Sequence, residues 1–301
     1  MGLFEFGKRS KKEDNVVQQD LSQKEQPSNV FMMKLLMKEA CEMPEKEYMT
    51  EIMKKHLEDV DCFCHDDKVA GFAPLKYRVE FKDGSMPPQL MVMECIEADN
   101  QHIDEIARSQ MWECPKSEEI LSECKYQVVA TDMLAGAMEY KDRADMLMDY
   151  MEALVEMFPT CVAVYFMNSG KMFTRDSILN HEIPRKDRFI YFAVNVRFFN
   201  IQGTNDKMVD SLGMSALYLP DLQYHFHDME PDWVVNHAYN MLSYIYDANC
   251  PIESGDVIDG IEDGQISRNI QWKCQYENSL IQPAREVIDI NMGEFASGKR
   301  D

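Results

Sequence analysis

Tyr126–Thr131 is an apolar run of strand length, and Cys161–Phe166 is a second one. Between them Lys141–Phe158 places Ala144, Leu147, Met148, Met151, Leu154, Val155 and Phe158 on one helical stripe. A stripe at the 3.6-residue period has to be buried against another element, and the two flanking strands supply it. The segment is therefore restricted to a helix packed on a sheet. If the strands are parallel neighbours, the helix is the right-handed crossover of a βαβ unit.

The rest of the first half reads the same way. Val30–Met37 is a strand, Pro44 opens a helix over Glu45–Leu57, and Val60–His65 and Val69–Phe72 are further strands. Tyr77–Phe81 and Leu90–Ile96 flank the turn Asp83-Gly84, and short helices are expected over Gln101–Gln110 and after Pro115. Thr174 is placed to cap a short helix to His181, and Pro184-Arg185-Lys186-Asp187 reads as a linker before a long aromatic strand, Phe189–Ile201. Further on, Leu222, Tyr224 and Phe226 alternate with Gln223, His225 and His227, which puts the apolar side chains inward and both histidines outward. Asp232 caps a helix to Tyr246, and strands follow at Val257–Ile261, Ile270–Tyr276 and Val287–Ile290. The expected class is α+β, with mixed or antiparallel sheets, helices packed on one face, and two halves. The expected division is a disordered tail over 1–29, an N-terminal α+β domain over 30–184 and a C-terminal α+β domain over 185–301.

Charge narrows the partners. The 301 residues carry 53 Asp and Glu against 31 Lys and Arg, a formal net charge of −22, which repels nucleic acid and anionic membrane surfaces. The one basic run, Lys8-Arg9-Ser10-Lys11-Lys12, lies in the tail. Nine scattered cysteines without a signal-peptide pattern fit the reducing cytoplasm, and no apolar run is long enough to span a bilayer.

Several residue groups offer chemistry. His225 and His227 on one strand face, with His237 on the following helix, are candidate metal ligands, because two imidazoles at period two can share an ion that a third completes. The competing account is an exposed histidine pair. Cys62, Cys64 and His65 provide soft ligands, but the second pair that a structural zinc site needs is missing. Asp256, Asp259, Glu262 and Asp263 among glycines lack calcium-loop spacing and read as consecutive turns. Serine-elbow and phosphate-loop motifs are absent, and no cofactor is implied. Tyr218, Tyr224 and Trp233 are candidate partner-binding residues, against the plainer reading that a helix-on-sheet core consumes them.

Leu212-Gly213, Leu219-Pro220-Asp221-Leu222 entering a strand, Ala238, Leu242 and Tyr244 on the helix, and Gly255-Asp256 with Asp259-Gly260 together resemble a bacterial family, the domain-of-unknown-function 4261 family. Upstream, Trp112 and Pro115, the strand at Tyr126–Thr131, Val162–Tyr165 and Ser169-Gly170 resemble the region that accompanies it in longer members, so that the likeness covers roughly 30–290. These are turns and apolar faces, and the resemblance implies no activity.

The functional expectation is a non-enzymatic cytoplasmic protein that binds another protein in an adaptor-like or immunity-like role. The alternatives are a metal-dependent hydrolase using His225, His227 and His237 with a carboxylate such as Asp221, and a small-molecule sensor with a pocket between the halves. Oligomeric state is not legible in the sequence.

Overall fold

The computed structural model describes residues 30–298 apart from Asp83 and His102, and the expected tail over 1–29 lies outside the described residues. The described chain forms two compact units, 30–194 and 195–298.

The first unit comprises β1 (Met32–Met37), α1 (Lys46–Leu57), β2 (Val60–His65), β3 (Val69–Pro74), β4 (Val79–Phe81), β5 (Gly84–Met86), β6 (Gln89–Glu97), α2 (Glu105–Ser109), α3 (Ser117–Glu123), β7 (Tyr126–Met133), α4 (Tyr140–Met157), β8 (Cys161–Phe166), β9 (Lys171–Thr174), α5 (Arg175–Leu179) and α6 (Arg188–Ala193). Seven strands form one sheet in the order β2-β3-β6-β7-β1-β8-β9, and every neighbouring pair is antiparallel. The strands on either side of α4 run parallel but are not neighbours. β1, buried from Met33 to Met37, lies between them and pairs with both, so the crossover is a split one. One face of this sheet carries α1 and α4. Leu90, Val92, Val128, Ala130, Met33 and Leu35 are buried beneath those helices, and Arg143 of α4 reaches Asp132 of β7 at 2.8 Å.

The stretch expected as one long strand from Phe189 splits into the helix α6 and, after Val194, the strand β10 (Asn195–Asn200). Aromatic β-propensity is overridden by packing and capping. Phe192 stacks edge-on against Phe173 of β9 with ring centroids 4.9 Å apart. The wholly buried Lys171 donates from Nζ to the carbonyls of Tyr191 (2.6 Å) and Val194 (2.9 Å), groups that the end of a helix leaves without partners. Arg188 then pairs with Asp149 and Glu152 of α4, each at 2.6 Å. After Pro184, Arg185–Asp187 form a single helical turn leading into α6, and the segment belongs with the first unit.

The second unit holds β10, β11 (Lys207–Leu212), β12 (Asp221–Phe226), α7 (Pro231–Ala248), β13 (Val257–Glu262), β14 (Gln265–Asn278) and β15 (Glu286–Asn291). Its sheet runs β10-β11-β12-β15-β14-β13, mixed because β12 and β15 are parallel. Helix α7 starts two residues earlier than expected, with Glu230 rather than Asp232 in the cap position. Pro231 takes the first helical position, where its missing N–H is harmless, and Asp232 sits in the first turn. Val234, Ala238, Leu242 and Ile245 are buried toward the sheet, against Leu222, Tyr224 and Phe226. Among the described residues no helix is long and apolar enough to cross a membrane.

Candidate functional site

The strand β12 was expected to be half-buried, yet Asp221 and Gln223 on its second face are as buried as Leu222 and Tyr224. A loop over 279–285 covers that face through polar contacts. Arg197 holds Asp210 in a two-pronged pair, Nε to Oδ1 at 2.8 Å and Nη2 to Oδ2 at 2.5 Å. Arg285 reaches the same Asp210 at 2.9 Å and Asp221 at 3.3 Å, while Nη1 donates to the Pro283 carbonyl at 2.9 Å. Ser211 donates to Asp221 at 2.8 Å, and Gln223 bridges Asp289 (3.1 Å) and the Leu280 N–H (2.7 Å). Burial pushes the Asp221 carboxyl above its usual range, and Arg285 opposes that shift. The network is a clasp between sheet and loop. In the sequence it showed only as polar residues alternating with apolar ones, a pattern identical to that of a solvent-facing edge.

The three candidate histidines are not brought together. His225 is mostly covered on that second face, 3.6 Å from the Asp206 carboxylate, and His227 lies beyond the strand, 3.0 Å from Asp228. His237 projects from α7 onto the opposite face. Its Nε2–H donates to the Asp259 carbonyl at 2.8 Å, and Nδ1 accepts from the Tyr224 hydroxyl at 2.9 Å. A carbonyl only accepts, so the proton is on Nε2, and both ring nitrogens are engaged. Burial holds this imidazole below its ordinary pKa. Among the described residues no group of three or more His, Cys, Asp and Glu is arranged to hold a metal ion.

The other sequence candidates are accounted for locally. Cys62 donates its thiol to the Cys64 carbonyl at 3.3 Å, and His65 Nε2 bonds the Pro44 carbonyl at 2.8 Å. Asp256 accepts the Glu253 N–H at 2.8 Å and Asp259 accepts from Gln271 at 2.9 Å, so these carboxylates brace turns and the β13–β14 hairpin. Of the aromatic candidates, Tyr218 and Trp233 are exposed by 48% and 39%, the Trp233 indole lying over Gly264. Tyr224 is wholly buried between α7 and the sheet, so its ring is not open to a partner. A polar cleft of about 370 Å³, lined by Asn200, Thr204, Asn205, Asp206, Lys207 and Asp228, lies within the second unit.

The first unit presents a further feature on its sheet. On the sheet face away from α1 and α4, the segment 103–124 covers only the β1-β8-β9 end, where Ile103, Met111, Ile120 and Leu121 cluster with Leu36, Ala163, Tyr165 and Met172. Among the described residues the β2-β3-β6-β7 end has no such cover. Register places Met133 beside Gln89, Thr131 beside Met91, Gly71 beside both Met91 and Cys64, and Val69 beside Met93, all on this face. A bulge in β2 between Cys62 and Cys64 lets Phe63 lay its ring over Gly71, where an added Cβ would stand 2.5 Å from that ring. A second bulge in β6 brings Ile96 opposite Gln127 on the same side. Phe63, Met93, Ile96 and Met133 are exposed by 47%, 42%, 46% and 43%. Bulges are invisible to a period-two reading, and for that reason the face was missed.

Fold and surface together define an α+β protein of two units, one with a fully antiparallel sheet of which, among the described residues, one face is covered only at one end, the other with a mixed sheet clasped by buried ion pairs. Residues 210–291, from within β11 to the end of β15, match the model of the family described as Domain of unknown function (DUF4261). The matched residues contain Asp210, Asp221, His237, Arg285 and Asp289; the upstream likeness at Trp112 to Gly170 lies outside them. Comparison with curated proteins and with solved structures finds no match.

Proposed function

We propose that this chain is a binding module that engages another protein through the bare end of the first sheet. The observation that supports this reading is that four large apolar side chains, Phe63, Met93, Ile96 and Met133, are exposed along one sheet face, beside a stretch of the same face that the described chain covers. Exposed apolar residues gathered on one face of a sheet mark interaction sites, whereas apolar residues scattered over a surface do not. An adaptor-like or immunity-like role is the kind of work such a module performs, with the DUF4261 unit as a separately braced body.

Photo-crosslinking tests the reading. A benzoylphenylalanine at position 93 is expected to give discrete crosslinks to another protein in the native cell extract, and one at the exposed Tyr244 of α7 is expected not to reproduce them. Identical patterns at both positions would sink the proposal.

A further inference from the structure

We infer that the bare face receives a cationic amphipathic helix of the partner, laid along β2, β3, β6 and β7. The inference rests on the binding-module reading and adds the chemistry of the occupant. Four strands about 4.8 Å apart present a strip about 14 Å wide, which matches one helix of about 10–12 Å diameter and is too wide for a single extended strand to cover. The opposite face of the same strands is already closed by helix packing. The strip itself is rich in methionine: Met91, Met93 and Met133 are unbranched and polarizable, and adapt to an apolar helix side without a fixed lock.

The charge around the strip selects the sign. Asp61 lies on this face of β2, Asp66 and Asp67 form the turn into β3, and Glu94 follows Met93 at the β6 bulge; all four are exposed. Lys68 is the one exposed cation in these stretches, 60–74 and 89–97. A helix with lysine or arginine beside its apolar stripe places cations against that margin, and an anionic helix places like charges there, a juxtaposition that costs affinity. The net charge of −22 steers the same class of partner from a distance.

Fluorescence anisotropy with the full chain tests this, using two labelled helical peptides of about 18 residues, one of leucine and lysine and one of leucine and glutamate. The lysine peptide is expected to bind at least about tenfold more tightly, and Met93→Lys or Ile96→Lys to weaken it by about tenfold or more. Asp61→Lys with Glu94→Lys should weaken it further and flatten its salt dependence. Circular dichroism of each variant, with the milder Met93→Gln as a second probe, separates loss of binding from loss of fold. Equal binding of both peptides, or binding of neither, overturns the cationic helix while the position-93 crosslinks still report on the binding module. Lysine-peptide binding that ignores Met93→Lys and Ile96→Lys overturns the assignment of the face. A dimer in sedimentation that Met93→Lys dissociates overturns the inference in favour of a second copy of this chain.

Discussion

His237 and Asp221 are both buried titratable side chains on elements next to one another, and the physical chemistry around each is different. In an unfolded chain the imidazole takes up its proton near pH 6.5, and burial against Trp272 and Tyr224 holds the folded value lower. In the window below 6.5 the unfolded state therefore binds a proton that the native state refuses, and stability falls as pH is lowered through it. The thermal midpoint is expected to drop on acidification over this range, with that share of the slope lost in His237→Gln; an undiminished slope in the variant would show the ring to be titrating freely. Tyr224→Phe leaves Nδ1 without its donor in a dry site and is expected to cost about 1–3 kcal/mol in denaturant melts. Arg285→Met strips Asp221 of its cation and Asp210 of one of two, and is expected to cost about 3–5 kcal/mol, the signature of a charge left buried and alone.

At the scale of elements, α4 organises its surroundings through Asp145, Asp149, Glu152 and Glu156, which share one helix face. Arg185 holds Asp145 and Asp149, Arg188 holds Asp149 and Glu152, and Lys55 with His56 of α1 holds Glu156. The members are unequal because their solvation differs. Arg188→Ala is expected to destabilise by about 3 kcal/mol, since both partners lie largely out of water, whereas Lys55→Ala at an exposed pair should stay within about 1 kcal/mol. Equal effects in chemical denaturation would contradict this ordering. The helices and strands themselves were largely legible: α4, α7, β7, β8, β14 and β15 follow from their periods. The conversion of Phe189–Ala193 to helix was not, because its causes are Lys171 and Arg188 binding groups far from them in the chain.

For the whole molecule, each unit has its own sheet and its own buried residues. The clasp of Arg197, Asp210, Asp221 and Arg285 closes entirely within the second unit. Residues 195–301 expressed alone are therefore expected to unfold in one cooperative transition, and a broad, non-cooperative melt would refute the self-sufficiency of that unit. Along the chain, periodicity and turn residues by themselves determined the α+β class, most element positions and the DUF4261 resemblance of the last third, because those depend on neighbours a few residues away. Only the tertiary structure decided that β1 would split the strands around α4, that the polar face of β12 would be buried under a loop, that the three histidines would part, and that one end of the first sheet would be left bare. Each of those outcomes depends on which distant side chains meet, and a one-dimensional period carries no record of that.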